Sequence, residues 1–126
     1  MLAGDVLLLR MSGVLTARAL AGIAGEAIRA HGHEARGFVL DYRAGVLAAT
    51  ADELGGLLAG VQADSPMRRP GAFVGTDETL GVLREHAVRS ADAGCWRRTF
   101  TQVAPARGWV DRLAQQAPPG ERASGP

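Results

Sequence analysis

RGFVLDYRAGVLAATADELGGLL, residues 36–58, is the stretch whose reading decides the fold. Phe38-Val39-Leu40 is a short apolar run with an aromatic, stopped at Asp41. Such a run reads as a strand buried on both faces. Residues 42–49 read as a small loop. Thr50-Ala51-Asp52-Glu53 then has the Thr-x-x-Glu form of a capping box, ahead of Leu54, Leu57, Leu58 and Val61 at helical spacing. Strand, loop and helix form the half-step of an α/β fold. They put the loop at the carboxyl end of a central strand, where open α/β sheets take ligands and partners.

The same unit recurs on both sides of this stretch. Toward the N-terminus, residues 6–11 form a bulky apolar strand that Ser12-Gly13 breaks. Thr16 is placed to cap a helix whose stripe is Leu20, Ile23, Ala24, Ala27 and Ile28. Gly32 falls where a left-handed C-cap would sit, with His31 in the last turn. Toward the C-terminus, residues 62–69 read as a polar connection and residues 71–75 as a third strand. Thr76-Asp77-Glu78 opens a third helix with Leu80, Leu83, Ala87 and Val88 inward, and Gly94 ends it. Residues 95–101 alternate in the manner of an edge strand. Pro105 suits the first position of a last helix packed through Trp109, Val110 and Leu113. The order βαβαβαβα predicts one α/β domain over residues 1–116, with about four βα units, a mostly parallel sheet and helices covering it. Residues 117–126, APPGERASGP, have the composition of a disordered tail.

Composition narrows the chemistry. The chain has 126 residues and a formal net charge of +1, which predicts no nucleic-acid partner. No apolar run reaches the roughly 20 residues of a membrane helix. With no signal-like leader read at the N-terminus, the expectation is a cytoplasmic protein without a membrane span. All 14 basic residues are arginine, so any mechanism that needs lysine, the P-loop included, is excluded. Cys95 is the single cysteine and reads as core rather than as a reactive thiol. His31-x-His33 has the look of half a metal site but no third ligand at useful spacing, so it reads as a solvated helix end, and no metal is expected. Glu85-His86 lacks the second histidine of a zinc-protease motif and reads as a solvated helix face. Gly22 and Gly25 lie inside a helical stripe and suggest close helix packing rather than phosphate binding.

Met11-Ser12-Gly13-Val14-Leu15-Thr16, Phe38-Val39-Leu40-Asp41-Tyr42-Arg43 and Arg69-Pro70-Gly71-Ala72-Phe73-Val74 together resemble the STAS domain family, closest to the small SpoIIAA-like, anti-sigma-factor-antagonist-like proteins of bacteria. The likeness runs over about residues 6–113, and Trp109-Val110 stands where those proteins often carry an aromatic. It implies a non-enzymatic module that binds a protein partner or a small ligand, with no cofactor. In regulated members a serine in an Asp-Ser-Ser-Gly-like turn is phosphorylated. Counted from Asp41, that turn falls on residues 49–52, and the acceptor position holds Ala51, so this chain departs from the pattern at that point. Thr50 is the only hydroxyl there and reads as a cap rather than a relocated acceptor. With little room for a leading strand, residues 6–11 would be an exposed edge or pair with a second copy in a homodimer. The expected contact surface is Tyr42, Arg43, Thr50 and Asp52, with Thr76 and Asp77 across from it. The alternative is a small enzyme using Asp41, Asp52 or His86 as acid or base at the carboxyl edge of the sheet.

Overall fold

The computed structural model describes residues 2–3, 5–32, 34–59, 65, 68–92 and 94–116. His33, Val61, most of the connection over 62–69 and the tail over 117–126 lie outside the described residues. Among the described residues nine elements follow in the order β1 (Leu2–Ala3), β2 (Val6–Leu15), α1 (Ala17–His31), β3 (Gly37–Leu47), α2 (Ala51–Ala59), β4 (Gly71–Val74), α3 (Asp77–Asp92), β5 (Arg97–Phe100) and α4 (Val103–Gln115). They build one sheet in the order β1-β2-β3-β4-β5. β2 to β5 are parallel, and β1 runs antiparallel to β2. The expected α/β architecture with a mostly parallel sheet is therefore present.

The sequential strand order dictates where the helices go. Parallel crossovers follow the right-handed rule, and with every step in the same direction α1, α2 and α3 are expected on one face. There Leu20, Leu54 and Leu83 of the three helices pack on Leu7, Met11, Phe38, Leu40 and Phe73 of the strands. α4 has no following strand to reach and folds back on the opposite face. Its Ala106 and Val110 seal Val6, Val39, Ala72 and Val74.

Several boundaries differ from the sequence reading, each for a non-local reason. Ser12-Gly13 does not end the first long strand. β2 and β3 continue side by side through Ser12↔Ala44, Gly13↔Gly45, Val14↔Val46 and Leu15↔Leu47, past the end of β4 at Val74. Ladder bonds to the neighbour outweigh the local break signal, and Gly13 accommodates the bend at φ 80°. From Asp41 to Ala44 β3 takes three steps where β2, from Arg10 to Ser12, takes two, so a bulge sits at Tyr42-Arg43. The predicted loop over 42–49 shrinks to residues 48–50. On the overhanging ribbon Val14 and Val46 are exposed. β1 covers the start of the leading edge, through Leu2↔Leu7 and Ala3↔Val6.

The helix ends show the same mixture. Thr16 caps α1 as expected, its hydroxyl accepting from the Ala19 amide at 3.1 Å, but Gly32 stays right-handed at φ −58°. α4 starts at Val103, so Pro105 is its third residue rather than its first, still within the turn whose amides need no helical partner. In α3 the inward stripe is Thr79, Leu80, Leu83, His86, Ala87 and Ser90. Val88, expected inward, is exposed.

Candidate functional site

A cavity of about 250 Å³ lies between the sheet and the helices of the three-helix face. Its floor is made by residues that alternate inward along the strands, chiefly Phe38, Leu40, Tyr42 and Phe73. Leu20, Ile23, Ala24 and Ile28 of α1 form one wall, and Leu54, Leu57 and Leu58 of α2 another. Ala24 and Gly25 are small, which leaves the space open along α1. Gly22, read as a close-packing glycine, meets nothing within 4 Å of an added Cβ. The glycines of α1 do not mark a tight helix contact.

Three side chains bring polarity into this apolar space: Tyr42, His86 and Arg97. Phe73 sits between the first two rings. Its ring is edge-on to Tyr42 at 6.1 Å and stacked on the His86 imidazole at 5.3 Å. Tyr42 is 3% exposed, and burial pushes its phenol up, with the Arg97 charge opposing.

His86 is 8% exposed, a correction to the solvated helix face expected from sequence. Its place three residues after Leu83 and one before Ala87 puts it on the inward stripe, and the spacing alone carried that signal. Burial, then the charges of Arg97 and Arg89, lower its pKa to about 4. The imidazole is therefore neutral at pH 7. Nδ1 is buried without a hydrogen-bond partner.

The Arg97 guanidinium lies over the Phe38 ring at 4.7 Å. Its Nη1 donates to the carbonyls of Arg69 at 2.6 Å and Trp96 at 2.9 Å. Burial lowers its pKa to about 10, with Arg68 adding to the shift and Cys95 and Tyr42 opposing it. A second cavity of about 180 Å³, between α2 and α3, shares Leu58 and His86 with the first.

Of the residues expected to form a contact surface, only Tyr42 lines the larger cavity. Arg43 is bound to Asp41, donating from its backbone amide at 3.0 Å and from Nε and Nη2 at 2.9 Å each. Thr50 and Glu53 cap α2 reciprocally, the Thr50 hydroxyl accepting from the Glu53 amide at 3.1 Å and the Glu53 carboxylate from the Thr50 amide at 3.0 Å. Asp52 is exposed and ion-paired with Arg89 of α3. At the start of α3 the Thr76 amide donates to the Thr79 hydroxyl at 3.0 Å, and Asp77 is the exposed first residue of the helix.

The acid/base candidates are likewise dispersed. Val39 of β3 packs under α4. Asp41, two residues on, points to that same side by strand alternation, away from His86. Asp52 is outside both groups. Among the described residues no group of three His, Cys, Asp or Glu side chains is placed to hold a metal ion, and no helix is long and apolar enough to cross a membrane. Comparison with protein-family models, curated proteins and solved structures finds no match to this chain.

Proposed function

We propose that this chain is a non-enzymatic, STAS-like module that binds a small, largely apolar ligand in the cavity between α1, α2 and the sheet. One observation carries the reading. Close-packed interiors leave few voids larger than a water molecule. Here about 250 Å³ stays open, walled by leucine and isoleucine and floored by aromatic rings, with a few polar groups among them. A mostly apolar concavity with a small number of placed polar groups is the usual form of a small-molecule site. It also accounts for Ala51 at the acceptor position of the family's phosphorylated turn, because a ligand-responsive module needs no phosphate at that turn.

The test is an NMR titration of the full chain with indene, an apolar two-ring probe. The expected result is saturable shifts of the methyl groups of Leu20, Ile23, Leu54 and Leu57, lost in an Ala24→Phe variant that fills the space. Absent shifts, or shifts scattered over the surface and unchanged in the variant, would overturn the proposal.

A further inference from the structure

The polar side of the cavity restricts which ligand fits, an argument that rests on the binding function proposed above. We infer that the ligand is an uncharged aromatic molecule of about two fused rings carrying one polar hydrogen, and that His86 reads that hydrogen.

Size sets the first limit. An apolar cavity of roughly 150 Å³ takes benzene. The 250 Å³ here therefore suits a bicyclic molecule rather than a single ring or a long chain. The floor sets the second. Phe38, Tyr42, Phe73 and the His86 imidazole present four flat groups to one space, and Phe73 is already edge-on to Tyr42 and stacked on His86. A further ring gains offset-stacked or edge-to-face contacts that an aliphatic body of equal area does not.

Charge sets the third. Tyr42 and His86 are buried deeply enough that their neutral forms are favoured. Desolvating an anion in the same space carries the same kind of penalty. The Arg97 guanidinium is held by two backbone carbonyls and the Phe38 ring, so a carboxylate would have to compete with contacts already made.

The hydrogen-bonding sense follows from His86. Its Nδ1 has no partner among the described residues, and a buried acceptor left unpaired is tolerated better than a buried donor. The neutral tautomer that fits carries its hydrogen on Nε2 and leaves Nδ1 to accept. A ligand N–H or O–H satisfies it. His86 is among the residues that line the cavity.

Three probes of one shape separate the possibilities: indole, with an N–H; indene, its isostere without one; and indole-3-carboxylate, an anion. Calorimetric titration of the full chain should show indole binding about three- to tenfold more tightly than indene, the range expected for one net hydrogen bond. Indole-3-carboxylate should bind more weakly than either. His86→Phe keeps a flat ring against Phe73 but removes the acceptor, and should bring the indole and indene affinities together. If that variant does not fold, His86→Gln, which retains an acceptor, should preserve part of the preference. Equal affinities for indole and indene in the wild-type chain would overturn the inference and leave the binding function standing. Tightest binding of indole-3-carboxylate would also overturn it, in favour of an anion held by Arg97. No binding of any probe would overturn both readings.

Discussion

His86 and Asp41 are two buried titratable groups on opposite faces of the sheet, and folding favours the neutral form of one and the charged form of the other. His86 faces Arg97 from β5, Arg89 from its own helix, and the rings of Phe73 and Tyr42 from the strands. Its ordinary pKa is 6.5 and its folded value about 4. Above pH 6.5 both folded and unfolded chains hold it neutral, and it adds no pH dependence. Between 6.5 and 4 the unfolded chain takes up the proton and the folded chain resists it, so stability falls as pH falls, by up to about 3 kcal/mol. Urea unfolding at pH 7 and pH 4.5 should show this loss in the wild type and a smaller one in His86→Phe. Equal losses would show that the histidine is not held neutral. Asp41 works at lower pH. Burial raises its pKa, but the hydrogen bonds and charge of Arg43 and the charge of Arg10 more than reverse this and hold it below 3.8. Its contribution is present above that value and is lost as pH falls beneath it. Asp41→Asn should therefore cost about 1–3 kcal/mol at pH 7, because three donors of Arg43 lose a charged acceptor. The difference from wild type should shrink at pH 2.5. A cost that stays constant with pH would mean that the carboxylate charge is not what matters.

Elements bounded by local signals were legible in the sequence, and elements bounded by their neighbours were not. The capping box at Thr50 and Glu53 is visible as four letters and present as two reciprocal hydrogen bonds. Thr50→Ala should accordingly lower stability by about 1 kcal/mol, the usual cost of losing such a cap, and leave indole affinity unchanged. A change in affinity without a change in stability would give the threonine a role other than capping. The turn at Gly94, with φ 81°, was equally legible. The ends of β2 and β3 were not, because the four residue pairs from Ser12 onward form only once two distant strands lie together. The burial of Val88 and His86 was read the wrong way round for a related reason. Polarity suggested that His86 faces water, whereas helical phase from Leu80 and Leu83 places it on the sheet and turns Val88 outward. Of the contact residues expected at the carboxyl edge, Tyr42 alone reaches the larger cavity. The other floor-forming residues, Phe38, Leu40 and Phe73, read from sequence only as strand core. Nothing in a single strand shows that three helices above it will leave a gap.

At the scale of the whole molecule, a close contact on one face of the sheet can be set against the cavity on the other. On the α4 face the fit is close: Ala106 and Val110 are fully buried, and a Cβ added to Gly37 would lie 2.5 Å from the Val110 Cγ1 and 2.9 Å from the Pro70 carbonyl oxygen. Neither neighbour is the far end of a flexible side chain. On the other face the cavity remains open beside Ala24. If the opening were only loose packing, enlarging a side chain on either face would be met by similar resistance, because a slack core would have relaxed throughout. If it is a formed site, the two faces must answer oppositely to added volume. Gly37→Ala should cost about 1–3 kcal/mol, since one methyl overfills a packed contact against backbone. Ala24→Leu adds three carbons to empty space and should fall between no change and a gain of about 1 kcal/mol, the range for cavity-filling changes. Urea midpoints of the two variants against wild type decide the matter. A loss in Ala24→Leu as large as that in Gly37→Ala would mean that α1 already closes on the sheet and that the space is not there to bind anything. A gain in stability, together with loss of the saturable indene shifts, would show that the molecule gives up packing energy on one face to keep a ligand site open.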